Sequence, residues 1–477
     1  MKPTYEELEA KLLETNTKLL ETNTKLLETD AKLLEPHRLL KLAIERITAL
    51  QEQINKNSNN SSKPPSSDQK PNSSGKKKTR KSRGNGVNRK TFSEEEIDIF
   101  TTCSLEKCPC CGSDHLSDLN ESLVLQQAEL PEVKATITQF TLTKHKCHSC
   151  GGTSFGELPK GVPNSAFGPR LMALLASLTG VFHLSKRDAV QLIYDLYGVE
   201  ICEGSVINIE ERVTHALNEP YERIYRHVIQ GALCKHFDET SWRNLGKSHY
   251  VWVASTLDAT CFHIDPNRSK EAFQRFARDL GKGPIVTDRY SVYEHIDRPH
   301  QYCLAHLIRD CRKYAERDGP DGKIGQALEK ELRQICRNHR EFREGLTTRQ
   351  TRNNRFRAQK SHLRDLLLDG LIEGSDQLAS LCERLFDSFS KLWTFSRFKD
   401  VEPTNNLAER DVRKLVLWRK KSYGTRSDRG QRFVERISSV TLTLKKARKA
   451  VLGYVQEAVI AFYQGKPAPM INPSHSY

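Results

Sequence analysis

Asp238 in HFDETSW, Asp288 in IVTDRY and Glu409 in EPTNNLAERDVRK are the residues of this chain whose types and surroundings best suit chemistry. The first two follow short apolar runs, 233–237 and 284–287, that read as strands; the third lies near the start of a basic helical stretch. Aspartates on neighbouring strand ends and a glutamate on a helix can converge on one point. An all-oxygen cluster suits hard divalent cations that keep part of their water and hold phosphate oxygens. Two such ions, about 3.5–4 Å apart, can steady the attacking and departing oxygens of a phosphodiester displacement. Each acid also has a structural reading. Aspartate is common after strands because its carboxylate bonds nearby amides, and Asn406-Leu-Ala-Glu409 has capping-box spacing. Singly, the structural reading is stronger; three acids in this order reverse that judgement.

Cysteines form a second constellation. Cys108-Pro-Cys-Cys111-Gly and Cys147-His-Ser-Cys150-Gly-Gly are two CxxC knuckles with 35 residues between them. Thiolates two residues apart can wrap one ion, the glycines allow the tight turn, and two knuckles complete a tetrahedral four-cysteine zinc site. The gap is wide for a zinc ribbon, includes an alternating strand-like stretch at 135–142 and has room for a small hairpin. A redox CxxC is the rival, which the pairing of knuckles disfavours; Cys103 and Cys110 are spare thiols. Cys303 and His306 form a CxxH just after the second aspartate. Alone it lacks two of the four ligands zinc needs, so packing or orienting a helix beside the acids is its expected role.

Basic residues crowd the third acid: Arg410, Arg413 and Lys414, then Arg419, Lys420, Lys421, Arg426, Arg429 and Arg432. Guanidinium groups there would hold phosphates flanking a scissile bond. A solvated basic face, with Glu409 and Arg413 as an i,i+4 pair, is the alternative for some of them. Trp418 fits a core position better than a base-stacking one.

The elements that must position these groups span a chain too long for one core, at 477 residues. A net charge of +15 and pI near 9.2 favour a polyanionic partner. No run approaches 18 apolar residues and MKPTYEELEAK has no signal-peptide core, so a cytoplasmic protein without a membrane partner is expected. Thirteen scattered cysteines, an odd count, argue against a secreted disulfide framework.

Residues 1–54 read as a leucine-rich coiled coil. ETNTKLL repeats place leucines at 13, 20, 27 and 34, Pro36 interrupts them, and Leu40, Ala43, Ile47, Leu50 and Ile54 make a better seam. Self-association through 38–54, as a dimer or higher, is expected. Residues 55–92 form a disordered linker whose second half carries Lys76, Lys77, Lys78, Arg80, Lys81, Arg83, Arg89 and Lys90. Residues 93–160 hold the zinc knuckles. Residues 161–230 are helical, with the outline of a DNA-reading helix-turn-helix that many bundles share. In 231–311, three hairpin-connected strands precede helix, strand, helix and strand, the order of a ribonuclease H-like fold. Residues 312–400 read as a helical insertion, 401–445 return to the core, and 446–477 are a C-terminal helix and tail. The fold class is multidomain α/β.

Several of these segments together resemble the DDE-type transposases of the insertion sequence 66 family. They are the leucine-rich start, NSSKPPSSD at 60–68, both knuckles, HFDET, NNLAER and KKSYGTRSDRG at 420–430. No single motif is specific; the ordered set, from about 38 to 445, is. The resemblance implies a bacterial, nucleoid-associated transposase that binds the terminal inverted repeats of its own element. It would cleave and transfer DNA strands through Asp238, Asp288 and Glu409 with Mg²⁺ or Mn²⁺, beside a structural Zn²⁺. Its partners would be double-stranded DNA, as element ends and target, further copies of itself and accessory proteins of the element. The family pattern places a pair like Cys303 and His306 here. Arg289 departs from it, a glycine being usual after the second aspartate, as does the tail PAPMINPSHSY. The rival readings are a zinc-containing DNA-binding regulator, an inactive transposase relic and a resolvase-type nuclease on the same fold.

Overall fold

The computed structural model describes residues 5–57, 91–119 and 121–471. The basic run from Lys76 to Lys90 and the NSSKPPSSD string lie outside the described residues. Two compact units emerge. Described residues 5–57, 142–189 and 203–471 belong to the larger, and 91–119, 121–141 and 190–202 to the smaller.

The larger unit opens with helix α1 (Tyr5–Asn55), which runs unbroken through Pro36. The interruption expected there does not occur. Pro36 is exposed, so the one carbonyl robbed of its helical partner can turn to water. Leu40, Ala43, Ile47, Leu50 and Ile54 are all exposed. Near the helix end, Glu52 pairs with Lys313 at 2.7 Å and with Arg317.

Strands β1 (Lys144–Lys146) and β2 (Thr153–Phe155) form an antiparallel hairpin that brackets the second knuckle. The alternating stretch 135–142 forms no strand; it is exposed, and among the described residues no strand pairs with it. Helices α2 (Pro169–Gly180), α3 (Lys186–Tyr197), α4 (Glu203–Ala216) and α5 (Asn218–Tyr225) follow. α2 and α4 pack on each other and on two later helices, α13 (Asp428–Lys446) and α14 (Val451–Tyr463), with Met172, Leu175, Val206, Ile209 and Val213 fully buried. Bundle packing thus accounts for their apolar faces.

The sheet follows. β3 (Lys235–Asn244), β4 (Lys247–Ser255) and β5 (Thr260–Asp265) are joined by tight turns; α6 (Lys270–Phe276), β6 (Ile285–Thr287) and β7 (His300–Tyr302) come next. Strand order is β5-β4-β3-β6-β7, antiparallel from β5 to β3 and parallel from β3 to β7. Asp238 does not end its strand. β3 pairs with β4 as far as Asn244, whereas β6 reaches only Lys235 and His236. The polar run after Asp238 lacks the apolar continuity of a buried strand, yet an antiparallel partner suffices to extend it. A turn with positive φ at Leu245 (52°) and Gly246 (75°) closes this ribbon, as twisted hairpins require.

After the sheet come α7 (Leu304–Ala315), α8 (Gly319–Arg343), α9 (Arg349–Glu373), α10 (Asp376–Asp387), α11 (Thr394–Arg397), α12 (Asn406–Ser422), α13 (Asp428–Lys446) and α14 (Val451–Tyr463). The stretch 312–400 is not a separate body: Leu328, Phe356, Leu367 and Trp393 share one core with Val286, Tyr302 and Leu307.

Both sheet edges are capped. Along β5, the N–H groups of Thr260, Phe262 and Ile264 donate to Thr443 Oγ1 (3.1 Å), Ser439 Oγ (2.9 Å) and Glu435 Oε1 (2.6 Å), residues four apart on one face of α13. Each bond contributes about 0.5–1.5 kcal/mol, and together they deny the edge to another chain. At β7, Phe395 N–H donates to Gln301 Oε1 (2.9 Å) and Thr394 Oγ1 to the His300 carbonyl (2.6 Å). The GTRSDRG loop grips the β3–β4 ribbon: Thr425 N–H donates to the Arg243 carbonyl (2.8 Å) and Leu245 N–H to the Thr425 carbonyl (3.0 Å). Gly424, at φ +102°, lies so close that a Cβ would stand 2.1 Å from the Arg243 oxygen, so only glycine fits. Among the described residues, no helix is long and apolar enough to cross a membrane.

Candidate active site

Successive strand residues face opposite sides of a sheet. Phe237 points into an aromatic cluster with Phe273, Phe276 and Tyr293. Asp238 therefore faces the other side, the side of Trp242, which meets Trp418 of α12 edge to face. Asp288 follows β6 directly, and its Oδ1 accepts the Tyr290 N–H at 2.9 Å, the turn bond its structural reading anticipates. Glu409 stands on the first turn of α12. The capping role that its spacing allows is not taken: Asn405 is the N-cap, without a side-chain cap bond, and Glu409 N–H donates to the Asn405 carbonyl at 3.1 Å. The Glu409 carboxylate turns instead toward Cys303 Sγ (3.8 Å), His306 Nδ1 (3.4 Å) and Arg309 (3.9 Å). Among the described residues, no ion pair forms between Glu409 and the exposed Arg413.

The three acids feel one another. Burial pushes the Asp238 carboxyl well above the usual carboxylate range, and Glu239, Asp288 and Glu409 push the same way. Burial likewise raises Asp288 against the opposing pull of the Tyr290 amide, Arg268 and Arg289. Glu409 is raised by burial, with Asp288 adding to it and Arg309 and the Cys303 thiol opposing. Half-buried carboxylates that repel each other are stabilised when a cation neutralises them; the oxygen donors and excess negative charge fit a hard divalent ion.

Two groups that the sequence reading did not single out hold this arrangement. Asn405, wholly buried, joins three elements: its Nδ2 donates to the Phe237 carbonyl (2.7 Å), its Oδ1 meets His236 Nδ1 (3.1 Å), and its backbone N–H donates to Cys303 Sγ (3.1 Å). It thus fixes α12 against the strand residue before Asp238. Glu239 accepts Arg268 (2.6 and 3.1 Å) and the Tyr293 hydroxyl, and Arg268 stacks 4.1 Å over Tyr290. The NN of EPTNNLAER was the available signal for the first; nothing local announces the second.

Cys303 and His306 lie beside Glu409. The Cys303 thiol is pushed up to about 12 and the His306 imidazole down to about 3, both mainly by burial, so both are neutral. Arg289 pairs with Asp310 on α7.

The basic residues divide. Arg410, Arg413, Lys414, Lys420, Lys421 and Arg426 are exposed. Arg419 is held by the carbonyl and hydroxyl of Ser241, and Arg429 by Glu211 of α4 at 2.8 Å. Trp418 is core, stacked 4.7 Å from His183.

Each cysteine knuckle has the same local fold. Gly112 N–H donates to the Cys108 carbonyl (2.8 Å) and Gly151 N–H to the Cys147 carbonyl (2.9 Å), with φ of +75° and +73° at the two glycines. Backbone amides of Cys110 and Cys111 lower the Cys108 thiol below its usual range, and those of Cys150 and Ser149 lower Cys147. Amides aimed at sulfur favour the thiolate that zinc requires, so each knuckle fits half of a four-cysteine site.

Sheet, acids and knuckles define a multidomain α/β protein with a zinc-finger domain. The model of the family described as "Transposase IS66 family" matches residues 164–432, more than half of the chain, and that of the zinc-finger binding domain of transposase IS66 matches 106–151. A family of unknown function (DUF6444) matches 2–96. No curated protein matches the chain. The chain belongs to the IS66 family of transposases.

Proposed function

We propose that this chain binds the terminal inverted repeats of its own insertion sequence and cuts and joins DNA at Asp238, Asp288 and Glu409, set on a ribonuclease H-like core. The observation that carries this reading is the placement of three half-buried acids, Asp238 within β3, Asp288 directly after β6 and Glu409 on the first turn of α12. The strand order β5-β4-β3-β6-β7, with only β4 reversed against its neighbours, supports the fold assignment. Mg²⁺ or Mn²⁺ bound there would activate a water or 3′-hydroxyl and stabilise the departing oxygen. The three carboxylates would hold the ions, with Asn405 and Glu239 keeping their supports in place, and the exposed basic side chains of α12 would hold flanking phosphates. Cys108, Cys111, Cys147 and Cys150 would share one structural zinc. The domain boundaries given above are part of the same proposal.

The direct test incubates the full chain with Mg²⁺ and DNA carrying its element's ends. Cleavage at the ends and joined products are expected; DNA bound but uncut under Mg²⁺ and Mn²⁺ would leave only the regulator or the inactive relic. Among the basic residues, replacing Arg413, Lys414, Lys420 and Lys421 by alanine should weaken DNA binding and flatten its salt dependence, by about 0.9 in log–log slope for each phosphate that the variant no longer neutralises. Arg419→Ala and Arg429→Ala should instead lower thermal stability with little change in slope. Titrations over a range of salt concentrations check both.

Pairing two element ends calls for at least two subunits, and the exposed leucines and isoleucines of α1 supply a surface for it. Deleting residues 1–56 should reduce the assembly measured by light scattering. An unchanged mass would place the interface elsewhere.

A further inference from the structure

We propose that Cys303, His306 and Glu409 form an exchangeable zinc site that borrows the third acid and so competes with the catalytic arrangement. The borrowed role of Glu409 rests on the function proposed above; the site itself rests on three donors. Their ligand atoms all lie within 4.8 Å of one another. Glu409 Oε1 is 3.8 Å from Cys303 Sγ and 3.4 Å from His306 Nδ1. Ligands of one tetrahedral zinc, bound at ~2.0–2.3 Å, are separated by roughly that much.

Each donor is ready for a metal. His306 Nδ1 is buried and has no hydrogen-bond partner, an orphan that a metal would satisfy. Cys303 is the N-cap of α7, and its sulfur accepts the Asn405 N–H at 3.1 Å, the kind of amide–sulfur bond that supports a bound thiolate. Binding replaces the thiol proton, which leaves to solvent, with a Zn–S bond. Thiolate and carboxylate then balance the ion's two charges, so the site tolerates Arg309, 3.9 Å from the same glutamate oxygen. Sulfur and imidazole donors select zinc over Mg²⁺. Three protein ligands with one open position make an exchangeable site rather than a sealed structural one. Sequence spacing supplies only two of these ligands; the third comes from 103 residues further along the chain.

The test uses the full chain with its knuckle zinc retained. Equilibration with micromolar Zn²⁺ should add one zinc per chain, measured by competition with a chromogenic chelator. That increment should vanish in Cys303→Ala and in His306→Gln, while the first zinc stays. Co²⁺ added to the zinc-loaded protein should give a thiolate-to-cobalt charge-transfer band that Cys303→Ala lacks. His306→Gln keeps the buried thiol, so a folding defect of the cysteine variant leaves a second reading. Equal stoichiometry in the wild type and both variants would overturn the site. Where the wild type cuts DNA under Mg²⁺, Zn²⁺ should inhibit it, and the inhibitory concentration should rise at least about tenfold in His306→Gln relative to that variant's own zinc-free rate. A second zinc without inhibition would overturn the sharing of Glu409. A second zinc on a protein that never cuts DNA keeps the site and removes the transposase chemistry instead.

Discussion

Replacing Asp238 by asparagine should lower DNA cleavage and strand transfer by at least ~10³-fold, ~4 kcal/mol of transition-state stabilisation at ~1.36 kcal/mol per tenfold, while leaving DNA affinity within a factor of a few. Asparagine keeps the shape and loses the charge that holds a divalent ion. Asp288→Asn and Glu409→Gln should do the same, because each acid comes from a different element and none can reach another's place. Affinity should survive because it rests on exposed cations and counterion release. The buried acids repel one another without a cation, so the metal-free Asp238→Asn protein should melt no lower than the wild type. A variant inactive through misfolding would melt lower. Retention of cleavage above about a tenth of the wild-type rate in any one variant would remove that acid from the trio.

The second large effect concerns the zinc-finger domain. One zinc per chain should resist dialysis, and Cys108→Ser, Cys111→Ser, Cys147→Ser or Cys150→Ser should each release it. Binding energies of about 10–16 kcal/mol in zinc-finger peptides are folding energies for domains this small. The segment 106–151 should therefore become the first site of proteolysis in the apo-protein. Cys103→Ser and Cys110→Ser should change neither the metal content nor the cleavage pattern. The contrast between Cys110 and Cys111 is the sharpest part, since only the second has the two-residue spacing from Cys108 with glycine after it. Equal zinc loss from Cys110→Ser would mean that the first knuckle uses a different pair.

By itself the sequence determined what local chemistry can announce. The knuckles are legible because spacing and glycine fully describe a turn whose hydrogen bonds run within six residues, as from Cys108 to Ser113. The succession of strands and helices could be read, and three candidate acids named, because apolar runs and their punctuation report secondary structure. Tertiary structure alone decided the rest. Whether Glu409 caps its helix or turns to Cys303 depends on β7 and α7, which no residue near 409 encodes. Asn405 is a clamp only because Phe237, His236 and Cys303 meet there. Arg419 and Arg429 look like their basic neighbours in sequence and differ only in having Ser241 and Glu211 beside them. The same holds for Thr443, Ser439 and Glu435, whose spacing of four is ordinary in a helix until β5 lies against it. Local patterns record neighbours along the chain, within about four residues on a helix; the partners that orient a site are brought together by burial of distant apolar faces, which leaves no mark at the polar residue itself.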